Sequence, residues 1–203
     1  MSNKQVVNKD DIVVRFVGDC GDGMQFSGSL FSDTAALSGN DIATFPDYPA
    51  EIRAPHNTIA GVSGFQVHLG AKIHSSGDKC DIIVAMNPAS LRANLKWAKI
   101  GATIIIDIDA FTADAIEKAG YKNDPLSPEN IGQYNIIKAP ISSQTKAIGT
   151  EKGLDARNSD KCRNMFALGM IFYICNKSLE VSNNFLAKKF AKNPLLVEAN
   201  QAV

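Results

Sequence analysis

The chain has 203 residues, with 21 Lys+Arg against 21 Asp+Glu and a formal net charge of zero. Balanced charge argues against a general nucleic-acid or membrane-surface binder, since both need a basic excess. The 45% hydrophobic content can bury a sizeable core, and the length suits one domain or one domain with appended helices.

In chain order, residues 1–10 are polar and are expected to be loose, ahead of a single domain over 11–203. Ile12 to Val17 reads as a buried strand. Gly18-Asp19-Cys20-Gly21-Asp22-Gly23 follows, too rich in glycine to extend a strand or a helix. Met24 to about Ser38 has helical periodicity, and Gly39-Asn40 is a stop signal. Asp41 to Phe45 reads as a short strand. The three prolines in Pro46 to Pro55 exclude a regular helix.

Thr58 to Leu69 reads as a long strand, with Phe65, Val67 and Leu69 alternating against Gln66 and His68 as on a half-exposed, antiparallel member. Asp81 to Met86 reads as a buried strand. Pro88 opens a helix expected to reach Ile100. A strand at Thr103 to Ile108, a short helix at Thr112 to Ala119, a loop over 121–133 and a last strand at Tyr134 to Lys138 follow. Helices are expected at Lys161 to Asn176, at Asn183 to Ala191 and after Pro194. Strands alternating with helices predict a three-layer α/β/α fold with a largely parallel, mixed sheet and C-terminal helices.

Cys20, Cys80, Cys162 and Cys175 show no CxxC spacing, and His56, His68 and His74 form neither HxH nor HExxH. A zinc site or iron–sulfur cluster built from this chain alone is disfavoured, and the thiols are expected to be reduced and cytoplasmic. The longest apolar run, Met165 to Cys175, has 11 residues, far short of a membrane span. As a helix it is apolar on all sides, which suits a core helix or one sandwiched against a partner.

Three segments carry candidate chemistry. A strand–glycine loop–helix unit presents backbone N–H groups and a positive helix end to an anion. Gly18, Gly21 and Gly23 give GxxGxG, neither the GxGxxG dinucleotide fingerprint nor a Walker A loop. The alternative reading is a capping box, with Asp22 as N-cap and Gln25 three residues on. Asp19 and Asp22 would repel a phosphate unless cations intervene. In the proline loop, Arg53 either grips a carboxylate or phosphate or forms a solvated pair with Glu51. Asn87, at the carboxyl end of a buried strand, either meets a ligand or caps the helix that Pro88 opens.

In this order, Arg15-Phe16-Val17-Gly18-Asp19-Cys20-Gly21-Asp22-Gly23-Met24-Gln25, Pro49-Ala50-Glu51-Ile52-Arg53-Ala54-Pro55 and Val84-Ala85-Met86-Asn87-Pro88-Ala89-Ser90-Leu91 resemble the gamma-type domain of the 2-oxoacid:ferredoxin or flavodoxin oxidoreductases. The match covers roughly residues 11 to 200. The Phe-Pro-x-x-Pro-Ala-Glu-Ile-Arg-Ala-Pro wording is most similar to the 2-oxoglutarate branch, where this domain forms the N-terminal part of the alpha subunit. The resemblance implies oxidative decarboxylation of a 2-oxo acid, with electrons passing to ferredoxin and the acyl group to coenzyme A. It places thiamine diphosphate, Mg and a [4Fe-4S] cluster on partner domains or subunits. No catalytic residue or metal ligand is then expected in this chain, which alone would be inactive.

Carried over, Gly18, Asp19, Gly21, Asp22, Gly23, Met24 and Gln25 would approach the coenzyme's phosphates, with Arg53 and Asn87 at the active-site mouth. The loop departs from the commoner Gly-x-Gly-Gly-x-Gly of separate gamma subunits by carrying Asp19 and Cys20, and Arg53-Ala54-Pro55 stands where Arg-Gly-Gly is expected. Both departures suit the alpha-subunit branch. The chain ends at Glu198 to Val203 in a helix-friendly stretch without a stop signal, so a longer polypeptide or a split-gene subunit is expected. Two other readings stay open, a stand-alone NAD(P)-type dinucleotide-binding domain and a pure assembly scaffold.

Overall fold

The computed structural model describes residues 6–51 and 53–203. Residues 1–5, where the expectation of a loose start partly falls, and Ile52 lie outside the described residues; residues 6–10 precede β1 without a regular element. Six strands form one sheet in the order β2-β3-β1-β4-β5-β6. They are β1 (Asp11–Asp19), β2 (Asp41–Asp47), β3 (Val62–Gly70), β4 (Cys80–Ala85), β5 (Ala98–Asp107) and β6 (Asn135–Ala139). β1, β4, β5 and β6 pair in parallel. β3 runs antiparallel to both β1 and β2, so it alone is reversed. The carboxyl ends of the other five strands therefore lie along one edge of the sheet.

β1 explains the layering. Its side chains alternate between faces, and both faces are covered. Val14 and Phe16 enter a core with Met24, Leu30 and Phe31 of α1 (Met24–Leu37) and Leu168, Ile171 and Phe172 of α7 (Arg163–Ile174). The Phe31 ring sits edge-on between Phe16 and Phe172, at 5.9 and 5.8 Å between centroids, a favoured aromatic arrangement. Val13 and Val17 face a second core with Ile83, Ile104, Ile106 and Leu91 of α2 (Pro88–Asn94). Gly28 brings α1 close to the sheet: a Cβ there would fall 2.3 Å from the Phe65 ring.

The mixed, mostly parallel sheet and its flanking helices agree with the sequence expectation. Several local expectations need correction. The capping box at Asp22 does not form; the N-cap of α1 is Gly23, in left-handed geometry. The long strand from Thr58 begins only at Val62, after a 3-10 turn over Ile59–Gly61. Its Gln66 face is buried, because the 71–79 segment folds over it and the Gln66 amide donates to the Ser76 and Gly77 carbonyls. The helix from Pro88 stops at Asn94, and β5 starts at Ala98, which pairs with Cys80. The 121–133 loop holds a short α4 (Pro128–Ile131). Pro140 follows the end of β6 and stands as N-cap of α5 (Ile141–Glu151), a helix the sequence reading did not include; its missing N–H costs nothing there.

α3 (Ala113–Lys118), α6 (Ala156–Asp160), α8 (Glu180–Lys189) and α9 (Pro194–Ala202) complete the layers. In the apolar run, Met165, Ala167, Leu168, Ile171 and Phe172 are buried, whereas Tyr173 and Ile174 are exposed. The core-helix reading therefore describes most of it.

At the opposite edge, Asp81 is buried and accepts hydrogen bonds from the Val13 amide at 2.9 Å, Lys9 at 2.5 Å and Lys99 at 2.8 Å. Burial alone would raise its carboxyl, but these three donors hold it below the ordinary carboxylate range. A depressed folded pKa stabilises above the unfolded value and is lost as pH falls through the folded one. Asp81→Asn should therefore cost about 1–3 kcal/mol in chemical denaturation near neutral pH. The gap to the native chain should close as pH falls below the ordinary aspartate range. A pH-independent gap would contradict this account.

Candidate functional site

The carboxyl edge of the sheet carries the glycine loop, the proline loop and the Asn87 turn. They meet because of Asp19, the last residue of β1. Its carboxylate is buried and accepts from the Asn57 amide at 2.8 Å and from the Asn87 Nδ2 at 2.9 Å. His56 Nδ1 lies 3.2 Å from the same carboxylate. Asn87 does two things at once. Its Oδ1 accepts from the Ser90 amide and closes a capping box on α2, while its amide N–H faces Asp19. The helix-cap reading of Asn87 holds, and its side-chain N–H is engaged by Asp19.

Asp22 turns inward as well. Its Oδ2 accepts from the Asp19 amide at 2.9 Å, and its Oδ1 meets Arg163 Nη2 at 3.1 Å. Burial raises its carboxyl despite the Arg163 guanidinium beside it. Arg163 also reaches Asp160 at 3.2 Å and lies 3.4 Å from the Ser142 hydroxyl. That hydroxyl donates to Asp107 at 2.5 Å, and the Ser142 amide donates to Asp107 at 3.2 Å. Asp107 is fully buried at the end of β5; burial raises its carboxyl although both Ser142 bonds oppose the rise. A polar chain thus runs from the glycine loop through Arg163 and Ser142 to the end of β5.

A cleft of about 350 Å³ is lined by Asp19, Asp22, His56, Asn57, Asn87 and Arg163, among others. Its two carboxylates are answered by Arg163, the His56 ring and neutral donors, so one cation the sequence left wanting is supplied by Arg163. Of the residues singled out in the sequence, Gly18 lies within β1 and Met24 is buried in the core. Gln25 directs its amide N–H groups to the Gly64 carbonyl at 2.6 Å and the Asp47 carbonyl at 3.2 Å. Gly21 has φ 107 and open space where a Cβ would lie, so its backbone is approachable. Gly23 has φ 78, and a Cβ there would fall 2.4 Å from Asn164 Nδ2. Cys20 is exposed beside them.

Arg53 is exposed and sits at φ 65, in the left-handed region that a non-glycine residue enters at about 1–3 kcal/mol. Its side chain makes no hydrogen bond or ion pair with any described residue, Glu51 included. His56, Arg163, Ser142 and Asp107 were not singled out in the sequence. One signal for Arg163 was there to read: a cation in the first turn of a helix opposes the helix dipole, which suggests a specific partner.

Since Asp19 and Asn87 share one hydrogen bond, their loss should be non-additive. Asp19→Asn should cost about 1–3 kcal/mol in urea unfolding, because an amide N–H then faces another donor. A double-mutant cycle with Asn87→Ala should give a coupling of about 1 kcal/mol. Simple additivity would contradict the link.

Residues 13–203 match the family model described as pyruvate ferredoxin/flavodoxin oxidoreductase. The chain is 41% identical over 192 residues to the 2-oxoglutarate oxidoreductase subunit KorA of Mycobacterium tuberculosis, covering 94% of this chain and 29% of that protein. The chain thus spans under a third of that curated relative. Among solved structures it resembles the 2-oxoglutarate:ferredoxin oxidoreductase of Magnetococcus marinus, whose structure has 2-oxoglutarate, coenzyme A and succinyl-CoA bound. That likeness has a TM-score of 0.70 at 24% identity, over 96% of this chain and 30% of that one. It also resembles the keto/oxoacid ferredoxin oxidoreductase gamma subunit of Geobacter sulfurreducens (TM-score 0.65, 20% identity, 94% and 95% covered). A third neighbour is the pyruvate oxidoreductase subunit PORC of Thermotoga maritima (TM-score 0.63, 15% identity, 96% and 93% covered). These structural likenesses establish the fold. With the family match running through the sheet and the closing helices alike, the chain belongs to the pyruvate ferredoxin/flavodoxin oxidoreductase family.

Proposed function

We propose that this chain is the gamma-type part of a cytoplasmic 2-oxoglutarate:ferredoxin oxidoreductase. Its carboxyl-edge cleft and proline loop form one wall of the coenzyme A site. In the reaction so assigned, a 2-oxo acid loses CO2, two electrons pass to ferredoxin, and the acyl group forms a thioester with coenzyme A. Thiamine diphosphate supplies the carbanion chemistry when bound. This chain's residues do not fit the metal groups of such an enzyme. Among the described residues no set of three or more His, Cys, Asp and Glu is placed to hold a metal. The four cysteines are also separated: Cys20 lies in an exposed turn, Cys80 in β4, Cys162 before α7 and Cys175 after it. Thiamine diphosphate, its Mg and the [4Fe-4S] cluster are therefore assigned to companion domains or subunits.

Coenzyme A is an anionic ligand, and the residues here suit it. The exposed guanidinium of Arg53, unpaired among the described residues and carried on a proline-stiffened loop, is the observation that carries the reading. A planar fork of donors matches a phosphate in bidentate fashion. The open backbone at Gly21 offers close approach, and Arg163 neutralises Asp22 so that the wall does not repel the ligand. The dinucleotide alternative is disfavoured by topology. In a nucleotide-binding βαβ unit the strand after the first helix joins a parallel sheet. Here the reversed β3 lies between β1 and β2.

In the assembled enzyme, Arg53→Ala should raise the apparent KM for coenzyme A about tenfold or more, the loss of one charge-assisted pair. The KM for the oxo acid should change less than about twofold. An unaltered coenzyme A requirement would contradict the assignment and favour a purely structural scaffold.

A further inference from the structure

Arg15 lies in the middle of β1, on the face where its neighbours Val13 and Val17 are core residues. Periodicity asks for a third apolar side chain there, yet the guanidinium is buried, with only 4% of the residue exposed. Its Nε donates to Asn94 Oδ1 of α2 at 2.7 Å, and its Nη1 donates to Gln66 Oε1 of β3 at 3.2 Å. Its Nη2 pairs with Asp47, the last residue of β2. Burying an ion pair is weak evidence for stability, since apolar residues of similar volume often serve as well or better. What such a pair specifies is geometry, and here the geometry belongs to the residue from which the proline loop leaves the sheet.

Asp47 is held twice. Arg15 takes its carboxylate from one side, and Gln25 of α1 donates to its carbonyl from the other. The far end of the loop is held by the second carboxylate, Asp19, through Asn57 and His56. Between these points the Glu51 amide donates to the Ala60 carbonyl at 3.2 Å. The segment bearing Arg53 thus hangs between two anchored ends. We propose that Arg15 is the positioning residue of the proline loop: by fixing Asp47 it sets where Arg53 stands, and so sets coenzyme A affinity without touching the ligand. The ligand half of this inference rests on the function proposed above; the anchoring half does not.

The test uses the assembled enzyme and starts from the half-exposed partner, Asp47, because replacing the buried Arg15 risks the fold. In Asp47→Ala, hydrogen exchange of amides 48–57 should rise about tenfold while those of β1 and β4 stay protected. The apparent KM for coenzyme A should rise about five- to tenfold, with kcat and the oxo-acid KM within about twofold. Asp47→Glu should recover part of both effects. Asp47→Asn, which keeps the shape, serves if the alanine variant unfolds. Unchanged exchange over 48–57 would overturn the positioning role. Faster exchange with an unchanged coenzyme A KM would leave the anchor standing and overturn the loop's role in the ligand site.

Discussion

One carboxylate holds the functional edge together. Asp19 ends β1 with its side chain buried, and a buried charge is stable only when donors surround it. The donors come from the proline loop and from the start of α2, segments 38 and 68 residues away in the chain. The need to satisfy that one group draws three turns to one place. Asp22 repeats the device on the other side, and its donor comes from α7, 141 residues away. The glycine loop is therefore shaped by internal anions, and its nearness to a phosphate-binding loop is one of topology more than of chemistry.

This arrangement resolves a conflict visible in the sequence. A strand–glycine loop–helix unit invites an anion, whereas Asp19 and Asp22 repel one. In the folded chain both carboxylates border the cleft but are engaged by donors, and Arg163 stands against the second. What stays outward is the Arg53 guanidinium, unpaired among the described residues, and the approachable backbone at Gly21.

Local patterns were legible in the sequence and long-range polar ones were not. β1, the glycine turn and α1 followed from apolar periodicity and punctuation. The reversed β3 followed from its alternation, and the cap at Asn87 from the proline after it. The Asp22 cap was misread because Gly23, packed against Asn164, takes the N-cap position itself. α5 was missed because a proline can start a helix as well as stop a strand. Nothing in the local pattern marks the role of Arg15, because its partners lie 32, 51 and 79 residues ahead. Arg163, Ser142 and Asp107 come from separate elements, and no spacing in the chain announces them. Hydrophobic order is encoded locally, while buried polar groups find partners wherever the fold brings them.

The central claim is that the turn leaving β1 and the loop between Asp47 and Asn57 make one wall of a ligand site completed by other polypeptide. An experimental structure of the whole assembly with coenzyme A bound tests it most directly. The account predicts the coenzyme's phosphates against Arg53 and the Gly21 backbone, with a companion domain closing the far side. Both turns facing bulk solvent, with the coenzyme bound elsewhere, would contradict it.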